Sequence, residues 1–535
     1  MIDAHLESKA YPPIKKPGLR RFHQARWDEP IIFELSCPGA RGVILPGIEP
    51  GIRQVVGDPL ESIPTRLRRR LPPRLPEISQ PQVLRHYVRL SQENLGADFN
   101  IDVGQGTCTM KYSPKINDQL AFSPHSSELH PLQDQDTVQG ILEVMYRFEQ
   151  ILKEISGLER FSFQPRGGSA AIYANACIIR AYHASSGQQD QRDEIITTIF
   201  SHPSDAACPK TAGFKIITIY PDEDGYPDLQ ALKSAVSERT AGLMITNPED
   251  TGIFNPRIAE FVEVVHAAGG LCAYDQANAN GLLGISRARE AGFDLCHFNL
   301  HKTFSSPHGS GGPAVGAIGA TQELARFLPL PLVSFDGNRY RLDYDLPESI
   351  GKVGSFYGVP QVVLRSFAWV LSLGADGLRE AAEIAVLNNN YLLTKMLKIR
   401  GVSAPYARGR RRIEQVRYSW EQLAKETGIS SEQIGLRAAD FGVHYWTSHH
   451  PYIVPEPCTL EPTESYSNAE LDEYLAILEH VAGEAYTNPE IVKSAPHNST
   501  VHLIDHTALD DPSLWATTWR AYQRKICMKP INGEG

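Results

Sequence analysis

Three side chains and one turn in this sequence are of the types, and in the order, that a reactive centre would need. They are His202, Asp275, Lys302 and the turn Gly167-Gly168-Ser169. Lys302 is the only lysine between Lys233 and Lys352, and it sits in the run His297-Phe298-Asn299-Leu300-His301-Lys302-Thr303-Phe304. An apolar, strand-like stretch (Phe293 to Leu300) precedes it, and the small-residue loop His308-Gly309-Ser310-Gly311-Gly312-Pro313 follows. An amine at the end of a buried strand can be stripped of water and used to condense with a carbonyl. Glycines beside it let a bulky ligand approach the backbone. Asp275 follows the apolar Leu271 to Tyr274, a natural place for a buried carboxylate whose charge a cationic ring would sustain. Two glycines and a serine opening a helix make a seat for phosphate, because the first four backbone N–H groups of a helix lack internal partners.

Taken singly, each feature has a plainer reading. A loop lysine is usually a solvated charge, Asp275 a turn residue, His202 a histidine satisfied by backbone, and the glycine turn a serine-capped helix start. Taken together they suit pyridoxal phosphate. That cofactor needs an amine for its aldehyde, an acid for its ring nitrogen, a flat group over its ring and a helix N-terminus for its phosphate.

The elements that must position these groups are legible around them. From Val138 to Leu158 the apolar residues Ile141, Val144, Met145, Phe148, Ile151, Leu152 and Ile155 recur at helical spacing, and Gly157 ends the run. A helix to about His183 follows the glycine turn. Strands are then expected at Ile195 to Phe200, Lys215 to Tyr220, Ala241 to Thr246, Leu271 to Tyr274 and Phe293 to Asn299, with helices at Leu229 to Val236 and Ile258 to Ala268. Short buried strands alternating with helices imply an α/β domain with a mainly parallel sheet covered on both faces. Ligands gather at the carboxyl ends of such strands. Those ends carry His202, Asn247-Pro248, Asp275 with Asn278, and His301-Lys302.

Residues 1–75, rich in proline and arginine, read as an extended arm that wraps another surface. Residues 76–375 form the large α/β domain, 376–497 a smaller α+β domain, and 498–535 a tail. The Gly104 to Lys115 loop, dense in hydroxyl residues, is a connector able to hold an anion. The chain has 535 residues, 42% apolar and 21% charged, an ordinary globular composition. Its net charge of −10 disfavours nucleic-acid or membrane binding as a main role. The basic clusters Arg66 to Arg70 and Arg408 to Arg412 read as solvated surface or a mobile loop. Eight cysteines without a C-x-x-C pair fit a reducing compartment and argue against a disulfide framework or a zinc knuckle. No apolar leader or run of 18 apolar residues occurs, so a cytoplasmic location is expected.

Asn299-Leu300-His301-Lys302-Thr303-Phe304, followed by Pro307-His308-Gly309-Ser310-Gly311-Gly312-Pro313, closely resembles the lysine motif of glycine decarboxylase, the P-protein of the glycine cleavage system. The likeness runs from about Phe33 to Asn498. It takes in Thr107 to Tyr112, Thr246-Asn247-Pro248, Tyr274-Asp275 with Ala277-Asn278, Ala375 to Glu380, and Glu461-Pro462-Thr463-Glu464. It is to the lysine-bearing C-terminal half, which some organisms make as a separate second subunit. The resemblance implies a fold-type I, aspartate aminotransferase-like large domain with pyridoxal 5'-phosphate as cofactor. Lys302 would hold the aldehyde, Asp275 would pair with the ring nitrogen, and His202 would stack on the ring. His301 with Gly168 and Ser169 would hold the phosphate, and Ala277 and Asn278 would adjoin the cofactor. Thr107, Thr109, His308 and Asn247 would lie at the substrate pocket. In the family, an amino acid replaces the lysine, CO₂ leaves, and the aminomethyl group passes to a lipoyl arm on a carrier protein. The implied partners are an amino-acid substrate, a lipoyl carrier and a lysine-less subunit. The arm and the cofactor-edge loops also suit a homodimer.

The chain departs from the family pattern beside the cofactor. A glutamine and a glutamate after the phosphate turn have become Ala170 and Ile172. The family's serine-alanine-histidine-glycine-threonine-asparagine-proline run reads Phe200-Ser201-His202-Pro203-Ser204-Asp205-Ala206. Two catalytic readings stay open: glycine decarboxylation with aminomethyl transfer, and a stand-alone relative of specialised metabolism that uses another amino acid for carbon–carbon bond formation or elimination. A third, non-catalytic reading is disfavoured by the presence of Lys302 and Asp275.

Overall fold

The computed structural model describes residues 19–71, 73, 75–96, 100–104, 111–307, 314–445, 453–500, 503, 511–512 and 515–528. Thr107, Thr109 and the loop from His308 to Pro313 lie outside the described residues. By contacts the chain divides into two units, Met1–Arg21 with Gly96–Ser494, and Phe22–Leu95 with Ala495–Gly535.

The first unit is built on a seven-stranded sheet: β1 (Arg160–Ser162), β2 (Glu194–Thr198), β3 (Lys215–Ile219), β4 (Thr240–Thr246), β5 (Leu271–Asp275), β6 (Leu295–Asn299) and β7 (Gly316–Ala320). Their order is β1-β7-β6-β5-β4-β2-β3. Strands β2 to β6 pair in parallel, and β7 runs antiparallel to both of its neighbours. This is the mainly parallel sheet expected from the alternation of strands and helices. Every residue of β5, β6 and β7 is buried, as a sheet covered on both faces requires.

Successive residues serve opposite faces. Cys272, Tyr274, Cys296 and Phe298 join the core under the helices Gln139–Ser156 and Ile258–Ala267. Leu271, Ala273 and Leu295 join the core under the helix Gly168–Ser185. The first of these helices ends as its sequence predicts, at Gly157 in the left-handed region (φ 76°), whose N–H reaches Lys153 O.

Strand β7 was not expected. Its sequence, Gly316-Ala317-Ile318-Gly319-Ala320, is poor in the β-branched and aromatic residues that mark strands. Packing explains the glycines. A Cβ on Gly319 would stand 2.5 Å from the Phe161 ring, and one on Gly316 would stand 2.6 Å from Gly167 O. The second glycine lets β7 press against the turn that opens the helix Gly168–Ser185.

Beyond a short hairpin, β8 (Leu332–Phe335) with β9 (Tyr340–Asp343), a long helix spans Pro360–Met396 and breaks at Gly374 (φ 65°). A separate apolar core follows. It lies between the antiparallel pair β10 (Val416–Ser419) and β11 (Pro457–Leu460) and the helices Ser431–Ala439 and Asn468–Thr487. Both helices open on a capping box, Ser430 with Gln433 and Ser467 with Glu470.

The second unit contains the helices Pro50–Val56, Gln80–Gln92 and Trp519–Met528. Glu29 pairs with His86 at 2.8 Å and with Arg89 at 3.0 Å, and Phe33 stacks on Trp519. The helix Pro50–Val56 has no buried residue. Cys37, Cys177, Cys208, Cys272, Cys296 and Cys458 are all free thiols. Among the described residues no helix is long and apolar enough to cross a membrane.

The close approach at Gly316 yields a test. Gly316→Ala forces β7 away from the glycine turn and is expected to destabilise the fold by about 1–3 kcal/mol, read from denaturant unfolding. Unchanged stability would contradict the packing described.

Candidate active site

The parallel strands bring the sequence-separated candidates to one edge. Asp275 is the last residue of β5, in register with Thr246 of β4 and His297 of β6. Lys302 follows β6 by three residues, its backbone N–H donating to Asn299 O at 3.0 Å, and its side chain is buried. His202 follows β2. Its backbone N–H donates to Thr246 Oγ1 at 3.1 Å, and its Nδ1 accepts the Ser204 N–H at 3.2 Å. With its backbone anchored to Thr246 and its Nδ1 held by the Ser204 N–H, the ring is suited to lying flat over a planar ligand.

The electrostatics of these groups are coupled. Asp275 Oδ1 accepts the Ala277 N–H at 2.8 Å, and His297 Nε2 lies 3.2 Å from the same oxygen. The His297 contact is electrostatic rather than a hydrogen bond, since Nε2 has no partner in hydrogen-bonding geometry. Burial alone would push the Asp275 carboxyl up. The neighbouring His297 and His202 imidazoles, the Ala277 amide and the charge of Lys302 outweigh it and hold that carboxyl below the ordinary aspartate range. Burial, then the Lys302 charge, presses the His202 imidazole down, so a neutral ring is favoured. Burial likewise lowers His297.

The glycine turn Gly167-Gly168-Ser169 is tightly built. Gly167 takes φ 97°, and the helix starts at Gly168. A Cβ on Gly168 would stand 2.6 Å from Asn299 Nδ2, so the turn is packed against the end of β6. Ser169 Oγ and Ser204 Oγ are 2.8 Å apart, linking the turn to the loop that carries His202. His301 is buried directly before Lys302.

Two expected residues are engaged elsewhere. Asn278 Nδ2 donates to Glu461 Oε1 at 2.5 Å, with Asn280 Nδ2 on the same oxygen at 2.9 Å. The Asn247 side chain is spent on the backbone of Asn255, and the Asn247 backbone carbonyl accepts the Tyr274 hydroxyl. Thr107, Thr109 and His308 lie outside the described residues.

Four acidic or basic groups near this edge were not singled out as site residues from sequence. His297 stood in the motif itself, and its even spacing from Asn299 along a strand was the available signal. Glu461 belongs to the Glu461-Pro462-Thr463-Glu464 stretch. It is fully buried and pushed up to about 7 by burial, with Asn280, Asn278, Lys302 and Lys111 opposing the rise. Burial and the nearby Glu461 raise Glu414 well above the usual carboxylate range; Lys302 opposes the rise, and nothing in the local sequence marked Glu414. Asp205, in the helix Ser204–Thr211, faces Asp275 from the His202 side.

These residues fit pyridoxal phosphate. Asp275 Oδ2 is buried without a donor among the described residues, where a pyridinium N–H is accommodated. The helix start at Gly168 would present its first N–H groups to the phosphate, and Lys302 would supply the amine.

Sheet order, the glycine turn opening the helix Gly168–Ser185 and the buried strand-end lysine are those of an aminotransferase-like α/β enzyme. Residues 166–330 match the family model described as aminotransferase class-V. Residues 381–502 match "Glycine dehydrogenase, C-terminal domain". The chain is 47% identical over 504 residues to a probable glycine dehydrogenase (decarboxylating) subunit 2 of Pyrococcus furiosus, covering 94% of this chain and 98% of that one. It is 42% identical to the protein of the same description from Caldanaerobacter subterraneus subsp. tengcongensis, over 89% of this chain and 96% of the other. The chain therefore belongs to the glycine dehydrogenase (decarboxylating) subunit 2 family. Among solved structures, an inhibitor-bound glycine decarboxylase (P-protein) superposes with a TM-score of 0.67 at 20% identity, covering 82% of this chain and all of that one. A NifS-like protein superposes with a TM-score of 0.55 at 15% identity, covering 72% of this chain and all of that one.

Asp275→Asn keeps the shape of the strand end and removes its charge. It is expected to weaken retention of pyridoxal phosphate tenfold or more, about 1.4 kcal/mol, measured as cofactor remaining after gel filtration. Retention equal to that of the parent would exclude Asp275 as the ring partner.

Proposed function

We propose that this chain is a pyridoxal phosphate-dependent subunit that decarboxylates glycine and passes the aminomethyl group to a lipoyl carrier. The observation that carries the reading is Lys302 buried beside Asp275, His202 and the Gly168-Ser169 turn, in a chain 47% identical over nearly its whole length to a subunit with a decarboxylating description. That breadth supports the glycine reaction over the diverged biosynthetic alternative.

When bound, pyridoxal phosphate would supply an electron sink for loss of the glycine carboxyl group as CO₂. The chain's own residues set the conditions for that. Asp275, held ionised, keeps a proton on the ring nitrogen. His202 would stack on the ring, and the glycine turn with Ser169 and His301 would hold the phosphate. The Lys302 charge acts on both Glu461 and Glu414, and Glu461, pushed up to about 7, is the one of the two able to exchange a proton near neutral pH. Burial of Lys302, Asp275 and Thr303 excludes water that would otherwise quench the charge developing on the substrate.

Partners belong to the same reading. The relatives' designation as subunit 2 supports assembly with a lysine-less subunit, beyond the homodimer expected from sequence. The second unit supports it too, since Val43, Ile44, Leu45, Ile48 and Val55 all stand exposed on it. The pocket roles of Thr107, Thr109, His308 and Asn247, and the division into arm, large domain, small domain and tail, are part of this proposal. So is a cytoplasmic location.

Exchange of labelled bicarbonate into the glycine carboxyl group, with a lysine-less subunit and a lipoyl carrier added, tests it. Glycine-dependent exchange that disappears in Lys302→Ala is expected. No exchange with glycine, together with a visible spectral change on adding another amino acid, would favour the alternative substrate.

A further inference from the structure

We propose that Asp205 is a positioning residue whose carboxyl shares a single proton with that of Asp275, so that the acid facing the cofactor ring is a singly protonated pair. The inference rests on the reading of Asp275 as the ring-nitrogen partner.

Asp205 is 1% exposed and Asp275 3% exposed. The Asp205 N–H donates to His202 O at 2.8 Å, the His202 N–H donates to Thr246 Oγ1 at 3.1 Å, and Thr246 stands in register with Asp275, so the two carboxyls are brought close enough to act on each other. Even so, both oxygens of Asp205 and Oδ2 of Asp275 lack a donor among the described residues. Three acceptor oxygens gathered out of water, with the Thr246 hydroxyl beside Asp205 able to serve one of them at most, would be strongly unfavourable if both acids were ionised. One bound proton resolves this, since it turns one carboxyl into a donor to the other.

The surroundings decide where that proton sits. The cationic and imidazole groups, His297, His202 and Lys302, act on Asp275, which also holds the Ala277 N–H. Asp205 is faced instead by Asp275, by Asp250 and by the Thr246 hydroxyl, with Cys208 on its own helix. Asp250 is itself paired to Arg417 at 3.1 Å, so it brings no free cation to Asp205. Burial, then the Asp275 charge, pushes Asp205 well above the usual carboxylate range, while Asp275 stays below it. The proton therefore belongs to Asp205, which donates to the ionised Asp275. A carboxylate oxygen has two lone pairs, so Asp275 can accept this O–H and a ring N–H together.

The placement makes Asp205 a positioning group. It follows His202 by three residues and Ser204 by one. Ser204 Oγ contacts Ser169 of the phosphate turn. One short segment thus ties the ring-facing histidine and the phosphate turn to the carboxylate at the end of β5.

The consequence is a pH dependence of known sign. A group whose affinity for protons is raised on folding adds stability when protonated. That stability is full below its unfolded value, about pH 4 for aspartate, and is lost as pH rises toward the raised folded value. Asp205→Asn replaces the O–H with a permanent N–H donor and removes this loss.

The test uses the cofactor-free chain first. Thermal unfolding of parent and Asp205→Asn is compared from pH 5 to pH 9, with the melting-temperature gap expected to widen by several degrees in favour of the variant as pH rises. Parent-minus-variant infrared spectra should show the C=O stretch of one protonated carboxylic acid at neutral pH; the subtraction removes Glu414 and Glu461. A gap that does not change with pH, or a difference spectrum without that stretch, would overturn the shared proton. Cofactor retention in Asp275→Asn separates the two claims. If retention is unchanged, the ring-partner reading fails and the pairing tested in the cofactor-free chain stands or falls by itself. If retention is lost but the gap is flat, only the pairing fails.

Discussion

Everything at this site depends on keeping an ionised carboxylate and a lysine amine out of water at one edge of a parallel sheet. Asp275 and Lys302 are both buried, and neither would be tolerated there alone, because an unpaired buried charge typically costs about 3–5 kcal/mol. The sheet supplies the compensation. Parallel strands end together, so the ends of β2, β4, β5 and β6 place His202, Thr246, Asp275 and the segment leading to Lys302 within one field. His297, opposite Asp275 on the neighbouring strand, adds an imidazole contact, and the Ala277 amide adds a hydrogen bond.

The C-terminal part of the same unit closes this field. Asp250, after β4, pairs with Arg417 of β10, and Arg417 Nε also donates to Thr459 Oγ1 of β11 at 3.2 Å. Glu461, just past β11, receives Asn278 and Asn280 from the loop that follows Asp275. These contacts are polar, buried and directional. They seat the two-stranded sheet on the strand edge in one orientation, where apolar packing would specify a looser one. They also put Glu461 and Glu414 where the Lys302 charge acts on them.

Much of this was legible in the sequence, for physical reasons. Strands β2 to β6 are short apolar runs between turn residues, and the helix Gln139–Ser156 shows its period and its terminating Gly157 openly. Lys302, Asp275, His202 and the glycine turn could be read because each is a polar residue or a glycine where packing asks for none. What stayed hidden was tertiary in origin. Gly316 and Gly319 look like loop residues until Gly167 and Phe161 are packed against them. Asp205 looks like an ordinary helix-start acid until the sheet brings Asp275 to it. Glu414 follows an arginine-rich loop with no local sign that it will be buried. Asn278, read as a cofactor neighbour, turns toward Glu461 because that carboxyl needs a donor.

The central claim is covalent, so the most direct measurement is chemical. The chain is incubated with pyridoxal phosphate, reduced with borohydride, digested and mapped by mass spectrometry. The account predicts a reduced pyridoxyl group on the peptide containing Lys302 and on no other. Label spread over surface lysines, or absent from Lys302, would contradict it.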